Sequence, residues 1–141
     1  MRRNLSNSEV RLLLSAVDLR SPFGRRDYLL IMLFYQTGLR VGEVSRLLVG
    51  LVSRGGRAFS SLDLPASLCK GRRGRVVPLN ATARSCVEKM LQFNLSHGFS
   101  VAPAAPLFQN RNHTPLSVRS IQKLIKGYRL AAGLEIAATP H

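Results

Sequence analysis

The chain has 141 residues, 21 Lys plus Arg against 7 Asp plus Glu, a formal net charge of +14 at pH 7 and a pI ≈ 11.5. A hydrophobic fraction of 45% with 6% aromatics is that of a packed domain, which excludes a disordered basic tail, and the length suits one domain rather than two. The longest apolar run, Tyr28 to Tyr35, is far short of the ~20 residues of a membrane-spanning helix.

In chain order, Ser6-Asn7-Ser8-Glu9 forms a capping box, and a helix to about Asp18 follows with Val10, Leu13, Leu14 and Val17 on one face. Ser21-Pro22-Phe23-Gly24 breaks the chain, and a second helix from about Arg25 to Gln36 is apolar nearly all round, hence covered on most sides. Thr37-Gly38 ends it. A third helix is expected from about Arg40 to Val49, closed by the Arg54-Gly55-Gly56-Arg57 turn. From Ala58 to Leu79 the apolar residues flank a tight Lys70-Gly71-Arg72-Arg73-Gly74-Arg75 turn, as in a β-hairpin with a basic tip, and Pro65 confines the first arm to an edge or bulge. Asn80 caps a fourth helix to about Ser96. Residues 97–115 read as a loop with a short extended piece at Leu107-Phe108. Ser117 opens a fifth helix that buries Val118, Ile121, Leu124, Ile125 and Tyr128, carries Arg119, Lys123 and Lys126 as a separate stripe, and stops at Gly133. The expected fold class is mainly α with a small antiparallel β-sheet.

The basic set is 17 Arg to 4 Lys, and Arg grips phosphate oxygens in a two-pronged fashion, so a nucleic acid leads an anionic membrane surface as partner. Met1-Arg2-Arg3 is followed by polar residues rather than the apolar stretch of a secretory signal, which predicts a cytoplasmic protein. Cys69 and Cys86 lack CxxC spacing and a neighbouring His, so they read as two inert thiols and no metal site is expected. His97 and His113 receive no role.

Arg40 opens a helix with Glu43 one turn on. An Arg there adds its guanidinium to the free N–H groups of the helix start, a place suited to phosphate, and a carboxylate at i+3 can hold it in one rotamer. Spacing alone favours a surface ion pair. Lys70 sits on a glycine-flanked basic turn, where like-charge repulsion from Arg72, Arg73 and Arg75 would depress its pKa, as a proton-donating Lys requires. A solvated basic turn is the plain alternative, and a terminal His141 is ordinarily a frayed end.

Taken in order, these pieces resemble the catalytic domain of the tyrosine recombinases, or phage integrase family. Thr37-Gly38-Leu39-Arg40-Val41-Gly42-Glu43-Val44 resembles the first arginine box, Lys70 to Leu79 the hairpin lysine motif, Tyr128 to Gly133 the helix end before the His box, and Thr139-Pro140-His141 the start of that box. The resemblance runs from about Ser6 to His141. It implies a DNA breaking-rejoining core that acts on double-stranded DNA through a 3′-phosphotyrosyl link without cofactor or metal. Arg40 would bind the non-bridging oxygens, Lys70 protonate the leaving 5′ oxygen, His141 contact the phosphate or assist proton transfer, and Glu43 orient Arg40. Arg72, Arg73, Arg75, Arg119, Lys123 and Lys126 would contact DNA around them. Family members add an N-terminal clamping domain, and beyond the His box a second arginine and the tyrosine nucleophile. The expectation is therefore a partial catalytic domain, inactive alone, whose complete form self-associates on DNA. The competing reading is a non-catalytic basic helical module, with RNA binding weaker for lack of exposed aromatic pairs.

Overall fold

The computed structural model describes residues 5–69 and 73–134. Helix α1 (Asn7–Ser15) starts on the expected box: the Glu9 N–H donates to Ser6 Oγ at 3.2 Å and the Ser6 N–H to Glu9 Oε1 at 2.9 Å. It ends three residues before Asp18, whose carboxylate accepts the Arg20 N–H and side chain and so favours a local turn over another helical turn. Helix α2 (Pro22–Thr37) begins earlier than expected. The Ser21-Pro22 pair is its start rather than a break, with Ser21 Oγ as cap and Pro22 at the first position, where no N–H is needed. Gly38, left-handed at φ 70°, closes it by donating to the Phe34 carbonyl.

The expected single helix over Arg40–Val49 is instead two short ones, α3 (Val41–Ser45) and α4 (Val49–Val52). Leu48 between them is extended and bridges to Pro106, while the Leu47 carbonyl accepts the Leu107 N–H and the Ala105 carbonyl takes the Val49 N–H. Pairing with a segment some 60 residues away overrides the local helical pattern. The Gly55-Gly56 turn, with both glycines at positive φ, joins β1 (Ser53–Arg54) to β2 (Arg57–Ala58) in a small hairpin fastened to the next helix by Ala58 N–H donating to Glu88 Oε2 at 3.0 Å. Strands β3 (Ser61–Leu64) and β4 (Arg75–Pro78) pair antiparallel from Ser61↔Pro78 to Leu64↔Arg75. The sheet is therefore two separate two-stranded pieces, and the connection of the second, residues 65–74, is longer than a tight turn and includes a 3₁₀ turn at Ala66–Leu68.

Helix α5 (Ala81–Ser96) is capped by Asn80, whose Oδ1 accepts the Ala83 N–H at 2.8 Å and whose Nδ2 donates to Gln36 at the end of α2. It packs along α2, and Leu30, Ile31, Val87 and Met90 from the pair are fully buried in one core together with Leu13, Leu64, Phe108 and Ile121. Residues 97–116 form no regular element, but side chains hold their backbone carbonyls in place. Buried Gln109 donates to the Ser100 and Pro106 carbonyls, and buried Asn94 donates to Leu107. Helix α6 (Val118–Ala131), capped by Ser117 and closed near Gly133 at φ 75°, packs on α1 and α3. Among the described residues no helix is long and apolar enough to cross a membrane.

Candidate nucleic-acid interface

The Arg40 box folds as a helix start. Arg40 is the N-cap of α3, extended at ψ 154°, and its backbone N–H donates to Glu43 Oε1 at 2.9 Å. Its guanidinium lies 3.9 Å from Glu43 Oε2, with the Arg40 side chain 56% exposed and that of Glu43 2%. The carboxylate is not held by Arg40 in a fork. The fork comes from Arg75 on β4, whose Nη2 meets Glu43 Oε1 at 2.5 Å and whose Nε points at Oε2 at 3.4 Å. Burial pushes the Glu43 carboxyl up, but the hydrogen bonds from Arg75 and the Arg40 backbone, with both positive charges, outweigh it and hold the group below 4.5; the same bond raises Arg75.

Glu43 is thus held ionised in the folded chain more firmly than in the unfolded one. As pH falls through about 4.5, the unfolded chain protonates first, so the contribution of Glu43 to stability is complete above that range and lost as pH drops through the lower folded value. The expected result is a urea midpoint that declines between pH 5 and 3 in the wild type and declines less in Glu43→Gln; parallel declines would contradict it.

With Arg75 paired to Glu43, its charge is largely cancelled and adds less to the like-charge field expected around the turn; Arg73 is exposed, and Lys70, Arg72 and His141 lie outside the described residues. Arg119, Lys123 and Lys126 are all exposed on α6. Ser45, at the end of α3, donates to the Leu116 carbonyl at 2.6 Å, immediately before the Ser117 cap, and so ties the element that begins with Arg40 to the start of α6.

Further basic residues escaped the sequence reading. Arg111 lies 5.3 Å over the Phe23 ring, and with Arg26, Asn110, Ser120 and Lys123 it lines an open cleft of about 380 Å³. Arg54 and Arg57 are exposed on the first hairpin, and Arg46 on the turn after α3. The 97–116 segment has no periodicity to assign Arg111 a face, so only tertiary structure brings it beside Lys123.

The three tyrosines are accounted for. Tyr28 and Tyr35 are half-buried in α2. Tyr128 donates its O–H to Asp27 Oδ2 at 2.7 Å, and burial followed by that carboxylate holds the phenol well above its ordinary value of 10. Both cysteines are buried free thiols, and burial pushes Cys86 up to about 11. Among the described residues no three His, Cys, Asp or Glu side chains form a metal-binding group.

The sequence profile of the phage integrase family matches residues 3–141. Tyrosine recombinase XerD of Lacticaseibacillus casei is 32% identical over 137 residues, covering 97% of this chain and 45% of that protein. Tyrosine recombinase XerC of Chlamydia muridarum is 35% identical over 144 residues, covering 97% and 41%. The crystal structure of XerA recombinase superposes with a TM-score of 0.72 at 21% identity, over 99% of this chain and 46% of that one, and so shares the fold. The chain spans less than half the length of these relatives. With the arginine box folded as a helix start and the profile matched almost end to end, the chain belongs to the phage integrase family.

Proposed function

We propose that the chain is part of the catalytic domain of a site-specific DNA recombinase and binds double-stranded DNA chiefly through its phosphates. The observation that carries this reading is Arg40: an exposed guanidinium at a helix start, its backbone fixed by a buried carboxylate, in a chain of net charge +14. In this reading Arg40 holds the non-bridging oxygens of the scissile phosphate, Lys70 donates a proton to the leaving 5′ oxygen, and His141 contacts the phosphate. Fixed cations and a proton donor stabilise the charge that gathers on a pentavalent phosphorus. Arg73, Arg119, Lys123 and Lys126 position the duplex by backbone contact.

The nucleophile is none of the three tyrosines of this sequence. Tyr28 and Tyr35 belong to the packed helix α2, and the Tyr128 phenol is both committed to Asp27 and held protonated. The chain by itself is accordingly a DNA-holding piece of the reaction machinery.

The test is equilibrium binding to a short duplex as salt is raised. Phosphate contacts by Arg40, Arg119 and Lys123 alone give a log–log slope of about −2.7, since each contributes about −0.9. Arg40→Ala is expected to weaken binding and to make the slope shallower by about 0.9. Affinity insensitive to salt between ~50 and 200 mM would overturn the reading.

A further inference from the structure

Two arginines face one carboxylate at this site, and the division of labour between them has a consequence for phosphate binding. We propose that Arg75 is a positioning residue: by neutralising Glu43 it leaves the Arg40 guanidinium uncommitted and available to phosphate. This rests on the reading of Arg40 as the phosphate-binding residue.

Glu43 is a buried carboxylate whose two oxygens need partners. Oε1 accepts the Arg40 backbone N–H and Arg75 Nη2, and Oε2 faces Arg75 Nε at 3.4 Å. Arg40 and Arg75 are the charged groups that face Glu43 among the described residues. One guanidinium therefore satisfies the carboxylate, and the other, at 3.9 Å and more than half exposed, is a surplus positive charge. A guanidinium drawn fully onto Glu43 would have to leave that partner before taking a phosphate, so the pairing with Arg75 removes a competitor.

The same bond joins distant parts of the chain. Arg75 lies opposite Leu64 at the end of the β3–β4 ladder, directly after the connection that contains Lys70. Its fork onto Glu43 ties that end of the ladder to the helix start that carries Arg40. Nothing in the spacing of the Arg40 box announces this partner, since the residues are 32 positions apart.

The test is a double-mutant cycle on duplex binding with Glu43→Gln and Arg75→Gln, read together with the salt slope. Arg75→Gln is expected to weaken binding, because Glu43 then draws in Arg40. Adding Glu43→Gln to Arg75→Gln should restore it, and with Glu43→Gln alone as the remaining corner of the cycle the coupling should be about fivefold or more. Because Arg75 touches no phosphate in this scheme and Arg40 is again uncommitted once Glu43 is neutral, the salt slope of the double variant should equal that of the wild type. An additive cycle, or a slope reduced by about 0.9, would overturn the proposal and make Arg75 an ordinary phosphate contact. Should Arg75→Gln fail to fold by near-UV circular dichroism, Arg75→Lys carries the same cycle, with a smaller loss that Glu43→Gln again relieves; additivity there is equally decisive. Arg40→Ala separates the two readings. If it leaves affinity unchanged, the phosphate role of Arg40 falls and this proposal with it; if it weakens binding while the cycle is additive, only the role of Arg75 falls.

Discussion

Asp27→Ala is expected to cost about 3–5 kcal/mol of unfolding free energy, the range for removing one partner of a buried ion pair. Asp27 Oδ1 accepts Arg26 Nε at 3.0 Å and Nη2 at 2.8 Å, Oδ2 accepts the Tyr128 hydroxyl, and Arg26 Nη1 reaches the Gln109 carbonyl at 3.2 Å. Both charged side chains are about nine-tenths buried, and the Arg26 guanidinium lies over Phe23 at 4.6 Å. Alanine leaves a buried guanidinium with one carbonyl and a phenol with no acceptor. Tyr128→Phe removes one hydrogen bond to a charged group and should cost less, about 1.5–3 kcal/mol. Urea unfolding at pH 7 followed by circular dichroism measures both. An Asp27→Ala loss below about 1 kcal/mol would mean that the guanidinium escapes to water and that the network is not a closed one.

Phe108→Ala is expected to destabilise by a comparable about 3–5 kcal/mol, even though Phe108 lies in a stretch with no helix or strand. It is among the largest fully buried side chains of the chain, and its carbonyl accepts the Leu116 N–H at 3.1 Å. An exposed connecting loop would tolerate the change within about 0.5 kcal/mol, so the same urea titration distinguishes a packed core segment from a surface loop. A loss under about 1 kcal/mol would contradict the packing of residues 97–116 against the core.

The caps at Ser6, Asn80 and Ser117 fold as their local chemistry dictates, since each needs only a side-chain oxygen and N–H groups two or three residues on. The Gly38 stop and the Arg40 helix start were legible for the same reason. Leu48 was not: its extended backbone is fixed by Pro106, and no periodicity within residues 40–49 contains that partner. Arg26 and Asp27, charged residues near the start of an apolar helix, are buried because Gln109 and Tyr128 arrive from far along the chain to satisfy them. At the site, the i, i+3 spacing pointed to a fork from the Arg40 guanidinium onto Glu43; Glu43 instead takes the Arg40 backbone N–H, and the fork comes from Arg75, which no local spacing could reveal. Short-range chemistry was readable and long-range pairing was not.

The bond from Tyr128 to Asp27 joins residues 101 positions apart, the Arg26 contact with Gln109 spans 83 and the Ser45 contact with Leu116 spans 71. Each such closure must bring together the ends of a long stretch of unfolded chain, which costs entropy before any contact returns it. During synthesis α2 therefore emerges without the partners that satisfy its charged pair, and it acquires them only when α6 has left the ribosome. The buried charges of α2 are thus satisfied only in a chain already folded over most of its length, and contacts of such long range slow folding relative to a bundle held by local ones.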